Sequence, residues 1–268
     1  MAGHQKQKCP PAKVKWLACC ALILNFFIPN ASGEQLKIRV GGDIWRPYFL
    51  DPKAEKPGFG HEIIRQCLDQ TGYEPQYHNS NISRLINDLE TGATDMWVMS
   101  KRPGREAWLY YTALPLFQES YGYISHQETE IEYRQLDDLK DKKVGLLSGV
   151  KVSKTFQQWV AEQPAQWRPQ VDPSEEILVR KLVAKRLDVI VNTLNSIRFT
   201  ARQLGVEDQL TFASQPIRTG DYYVVLSRKS TAVDDPEGFL GTFNECLHHL
   251  QQAGEFARLG KEYGLDLP

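Results

Sequence analysis

Three cations and a serine share nine residues in "VMSKRPGRE", residues 98–106. Lys101, Arg102 and Arg105 flank a Pro-Gly turn, and Ser100 closes the apolar run before it. A guanidinium presents a planar fork of donors that fits a carboxylate through two parallel bonds. Arg105 is therefore a candidate anion grip. The competing reading is a solvated surface arginine paired with Glu106 or Asp95, because exposure is the common state of arginine.

Other chemistry-bearing patterns fail on spacing. "HEIIR" at His61 begins like a zinc-protease H-E-x-x-H, but Arg65 stands where the second ligand belongs. His248 and His249 are adjacent on a helical stretch and point ~100° apart, a poor metal pair. "SGVK", Ser148 to Lys151, fits S-x-x-K without its companion motifs. "GGD" after the first strand lacks the remaining glycines of a dinucleotide fingerprint. These absences leave no expected catalytic residue, metal or cofactor.

The 268 residues are 41% hydrophobic and 24% charged, with net charge −1. That balance is ordinary for a globular protein, and without a long basic block nucleic acid is not an expected partner. The first 33 residues differ. Lys6, Lys8, Lys13 and Lys15 precede the apolar run Trp16 to Ile28, and small residues follow at Ala31 and Gly33. This is the three-part pattern of a secretory leader, cleaved near Gly33, and it implies export to the periplasm. An uncleaved anchor is the other reading, although a 13-residue run falls short of the ~20 that span a bilayer. Without residues 1–33 the chain carries 28 basic and 33 acidic residues. Cys67 and Cys246 are then the remaining cysteines, as one disulfide or as two buried thiols.

The elements that must position these groups follow an α/β rhythm. "LKIRVGGD" alternates as a strand. "GHEIIRQCLDQTGY" and "ISRLINDLETGATD" place apolar residues at helical spacing and stop at Gly72 and Gly92. "TDMWVMS" is a continuous apolar run, as in a strand buried on both faces. The rhythm restarts with "KKVGLLSG", "VSKTFQQWVAEQ", "PSEEILVRKLVAKRLD", "DVIVNT" and "SIRFTARQLG". "YYVVLSRKS" and two helices broken at Gly254 close the chain. Two α/β units of roughly 100 residues each are expected. "TALPLFQESYGYISHQ" is the candidate crossover, and the last segment returns to the first unit. Two lobes joined by extended strands leave a cleft, a usual place for a small ligand.

Six stretches in order resemble the periplasmic solute-binding proteins, family 3, which serve polar amino-acid ABC transporters. They are "LKIRVGGDIWRPYF", "PGFGHEIIRQCLDQTGY", "TGATDMWVMSKRPGREAWLYYTALPLF", "LDDLKDKKVGLLSG", "RLDVIVNT" and "LQQAGEFARLGKEYG". The resemblance implies a two-lobed type II periplasmic-binding-protein fold, each lobe a mixed, mostly parallel sheet flanked by helices, with two crossover strands. It implies lobe 1 from 34–116 and 220–268, lobe 2 from 117–219, and a monomer that meets ABC transporter membrane subunits. By the same resemblance Arg105 grips a ligand carboxylate and Ser100 contacts the ligand. Asp43 and Trp45 contact or cover its side chain, Ile82 packs on it, and Phe117 lies in the first hinge strand.

Departures from the pattern bear on the ligand. Arg102 replaces the threonine of the S-x-T motif. Gly149 is kept, while Val150 and Lys151 replace two threonines. Thr193 stands where an acid usually receives the ligand's ammonium. A buried ammonium without that acid is costly, so a more anionic solute than a standard amino acid is expected. Two rivals stand beside a binding protein. One is an exported dehydratase-like enzyme of the same fold, with Glu119 and Asp221 as candidate acids. The other is a sensor module for a signalling partner.

Overall fold

The computed structural model describes residues 1–3, 36–129, 133–265 and 267. The expected leader, past its first three residues, lies outside them. Among the described residues no helix is long and apolar enough to cross a membrane.

Strand β1 (Leu36–Gly42) runs into the loop that holds Asp43 and Trp45, and helix α1 (Phe59–Thr71) follows. The apolar spacing of α1 buries Ile63, Ile64, Cys67 and Leu68. Gly72 ends it at φ 78, a left-handed conformation that glycine adopts without steric cost. Strand β2 (Tyr73–Asn79) pairs parallel with β1. Helix α2 (Ile82–Thr91) starts at Asn81, whose side chain accepts from the Arg84 N–H. It stops at Gly92, where a Cβ would lie 2.4 Å from the Lys229 carbonyl oxygen. Strand β3 (Met96–Ser100) is buried at every position, as its unbroken apolar run requires.

Short β4 (Leu109–Tyr111) leads to β5 (Phe117–His126), the long crossover. Beyond it come β6 (Val144–Leu147), α3 (Lys154–Glu162), β7 (Gln170–Asp172), α4 (Glu175–Val183), β8 (Val189–Thr193), α5 (Leu194–Gln203), β9 (Leu210–Phe212), β10 (Arg218–Ser227), α6 (Pro236–Gln252) and α7 (Glu255–Glu262). The sheet order is β2-β1-β3-β10-β5-β8-β6-β7, with β4 on β10 and β9 on β5. The β1/β2/β3 and β6/β7/β8 pairings are parallel. β10 and β5 run antiparallel to each other and join the two parallel sets.

One buried cluster draws on residues 38–117 and 222–265. Two others draw on residues 121–191 and 124–210. Helix α6 packs Phe239, Phe243 and Leu247 into the first cluster, with α1. Cys246 of α6 is disulfide-bonded to Cys67 of α1, Cα to Cα 5.5 Å. This settles the pair that composition left open.

Candidate functional site

The parallel strands β1, β3, β6 and β8 turn their carboxyl ends to one cavity, the place where open α/β sheets hold ligands. It measures about 290 Å³ and is lined by Asp43 after β1, Ser100 at the end of β3, Leu147 to Lys151 after β6, and Asn192 and Thr193 at the end of β8. Tyr121 and Tyr222 of the two antiparallel strands also line it. The register explains the convergence: Tyr222 lies opposite Ser100, and Tyr121 opposite Thr193.

Nine of the ten expected site residues line this cavity: Arg105, Ser100, Asp43, Trp45, Ile82, Arg102, Gly149, Lys151 and Thr193. Phe117 does not. Its ring is 4% exposed and stacks on Tyr48 at 3.8 Å. Its strand supplies Tyr121 to the cavity instead.

Arg105 is partly buried in a short helical turn after the Pro-Gly loop. Its Nη1 donates to the Ser100 carbonyl at 3.0 Å, which fixes the fork at the end of β3. Neither expected surface partner is engaged. Asp95 is fully buried against Arg39 at 2.7 Å, and no acid forms a salt bridge with Arg105 among the described residues. Burial, then the like charge of Arg102, pulls the guanidinium below its ordinary value. An anion beside it would offset both causes. Arg102 and Lys151 are exposed at the rim. Lys101 is off the cavity, with Nζ 4.3 Å from the centre of the Tyr223 ring.

Trp45 meets Tyr222 edge-on at 4.6 Å and Phe117 at 5.3 Å. It is both core edge and cavity wall. Asp43 is part-buried in the first loop, and burial, foremost, raises its carboxyl above the ordinary value. Gly149 adopts φ 80, the left-handed region, and so turns the chain after β6 toward Lys151.

Sequence reasoning missed Glu175, Asn192, Tyr121 and Trp97, which also line the cavity. Asn192 ends a buried strand, and the strand-end rule alone would have nominated it. Glu175 carries no such signal. It is 7% exposed at the start of α4, where Oε2 accepts from Thr200 Oγ1 at 3.4 Å and lies 4.0 Å from Arg46. Burial, foremost, raises its carboxyl above the ordinary value.

Residues 38–266 match the bacterial extracellular solute-binding proteins, family 3. The chain belongs to that family. Solved structures share the two-lobed type II periplasmic-binding-protein fold of this solute-binding protein. The arginine-, lysine-, histidine-binding protein ArtJ of Geobacillus stearothermophilus superimposes with TM-score 0.66 at 15% identity, over 87% of this chain and 96% of that one. The GluR0 ligand-binding core of Nostoc punctiforme, in complex with L-glutamate, gives TM-score 0.63 at 19% identity over 85% and 98%. A histidine kinase sensor domain gives 0.66 at 19% identity over 87% and 98%. No curated protein matches. The family is one of binding proteins, typically extracellular or periplasmic.

Glu119 and Asp221, the acids named for an enzyme, are not among the cavity-lining residues. Asp221 accepts from Gln118 Nε2 at 2.9 Å. Glu119 is 1% exposed on β5, with Oε1 bonded to the Ser120 N–H and Oε2 without a hydrogen-bond partner among the described residues. Burial pushes its carboxyl from 4.5 up to about 7, against the opposing pull of Tyr48, Ser120 and Asn195. The folded chain thus holds a proton that the unfolded chain releases. The Glu119 contribution is fully present below about pH 4.5 and is lost as pH rises towards 7. Glu119→Gln removes the titration. Its stability relative to wild type is expected to rise by up to about 3 kcal/mol between pH 4.5 and pH 8. Urea melts at several pH values check this, and parallel pH profiles would contradict it.

Proposed function

We propose that this chain is a periplasmic binding protein that captures a small polar, carboxylate-bearing solute in the cavity and closes on it. In this reading residues 1–33 are a leader cleaved near Gly33. Lobe 1 comprises 34–116 and 220–268, and lobe 2 comprises 117–219. The mature protein is a monomer that presents its closed form to ABC transporter membrane subunits. A solute that touches both lobes favours the closed state by its differential affinity. The observation that carries the reading is Arg105: part-buried, fixed by the Ser100 carbonyl, without an acid of its own, and facing the cavity.

Calorimetric titration of residues 34–268 with polar amino acids and dicarboxylates tests it. One or more saturable 1:1 binders of about micromolar Kd are expected, near −8 kcal/mol. Absence of binding across the panel would overturn it.

One observation favours the enzyme rival: Glu175 is a cavity acid with a raised pKa. Nuclear magnetic resonance of the bound solute separates the two. A binding protein returns the solute unchanged, and an enzyme converts it. The sensor reading draws support from the kinase sensor domain that shares the fold.

A further inference from the structure

The cavity's charges do not balance within the protein. Arg102, Arg105 and Lys151 line it as cations, and Asp43 and Glu175 as acids. Asp43 is only part-buried in its loop, so solvent still shares its charge. Glu175 is held by a long bond from Thr200 and by Arg46, whose 4.0 Å separation is at the limit of an ion pair and whose side chain is 42% exposed. Asn192 Nδ2, beside it in the cavity lining, is buried with no hydrogen-bond partner among the described residues. Ser196 and Asn192 also pull the Glu175 carboxyl down, yet burial outweighs all four partners and leaves it raised, so a cation beside it would stabilise its charge. Thr193, also in the lining, brings no charge.

We propose that Glu175, at the start of α4, receives a protonated nitrogen of the solute, so that the solute is an anionic amino acid rather than a nitrogen-free dicarboxylate. Two acidic groups face Arg105, Arg102 and Lys151, and one ammonium faces Glu175. The acid that Thr193 fails to supply at the end of β8 comes from a neighbouring helix instead. This rests on the cavity being the solute site and adds what discriminates among carboxylates there.

Two solute pairs that differ by the ammonium alone test it: L-glutamate with glutarate, and L-aspartate with succinate. In calorimetry of the mature protein the amino member of at least one pair is expected to bind about 30-fold or more tighter, roughly the penalty for leaving a buried charge unpaired. Glu175→Gln, which keeps the shape and the Thr200 bond, is expected to weaken that member at least tenfold and its partner by less than threefold. Equal binding within both pairs, or equal weakening of both members by Glu175→Gln, would overturn the Glu175 assignment and leave the carboxylate reading standing. Silence from all four solutes would overturn the Glu175 assignment, and the wider panel of polar amino acids and dicarboxylates then decides the carboxylate reading.

Discussion

Loss of the Cys67–Cys246 bond is expected to destabilise the mature protein by about 4 kcal/mol and to lower its melting temperature by roughly 10 °C. The two residues are 179 apart in sequence. Closing a loop of that length removes roughly 5 kcal/mol of entropy from the unfolded chain, and native disulfides contribute about 2–5 kcal/mol. The bond ties the late helix α6 to the early helix α1, so the unfolded chain loses one of its longest excursions. Both cysteines are buried, at 0% and 1% exposure, so reductant reaches the bond chiefly through opening. Neither lines the cavity. Solute affinity at 20 °C should therefore stay within about twofold in the Cys67→Ala/Cys246→Ala variant, while its melt shifts. Calorimetric scans of both proteins check this. A variant that melts with wild type would show that α6 is held by packing alone.

The elements legible in the sequence were those long enough to show a period or to end on a glycine. Helices α1 and α2 repeat apolar residues at helical spacing and stop at Gly72 and Gly92. Strand β3 is an apolar run up to Ser100, and β8 is buried throughout, with three apolar residues before Asn192 and Thr193. Strands β4, β7 and β9 have three residues each, too few for any period to appear. The insertion of β10 between β3 and β5 pairs strands that lie far apart in sequence, and no local pattern records it.

The site divides in the same way. Ser100, Arg105 and Thr193 follow buried strands at their carboxyl ends, so strand recognition leads to them. Phe117 opens the crossover strand β5, yet register sets its ring opposite Tyr222 in a stacked aromatic core. Reach into a cavity depends on side-chain packing, which spacing does not encode. Glu175 looks like an ordinary first-turn acid on α4, favourable to the helix dipole. Only the fold shows that this helix begins at the cavity.

The second large effect concerns Arg105. Its guanidinium is held by one bond to the Ser100 carbonyl and is partly desolvated, and the rest of its fork is available to a carboxylate. Arg105→Ala removes a charge-assisted bidentate pair and leaves the solute carboxylate facing a cavity wall. The expected loss is about 100- to 1,000-fold in affinity, or roughly 3–4 kcal/mol. Arg105→Lys keeps the charge and loses the fork, so it should fall between the two. Arg102 and Lys151 are exposed at the rim and should matter less.

The titration of wild type, Arg105→Lys and Arg105→Ala with the tightest solute of the panel tests the central claim most directly. The account predicts a graded loss, with alanine at least about 100-fold weaker than wild type while the melting temperature without solute is kept. Affinities within about threefold across the three proteins would contradict it, because the carboxylate would then lie elsewhere.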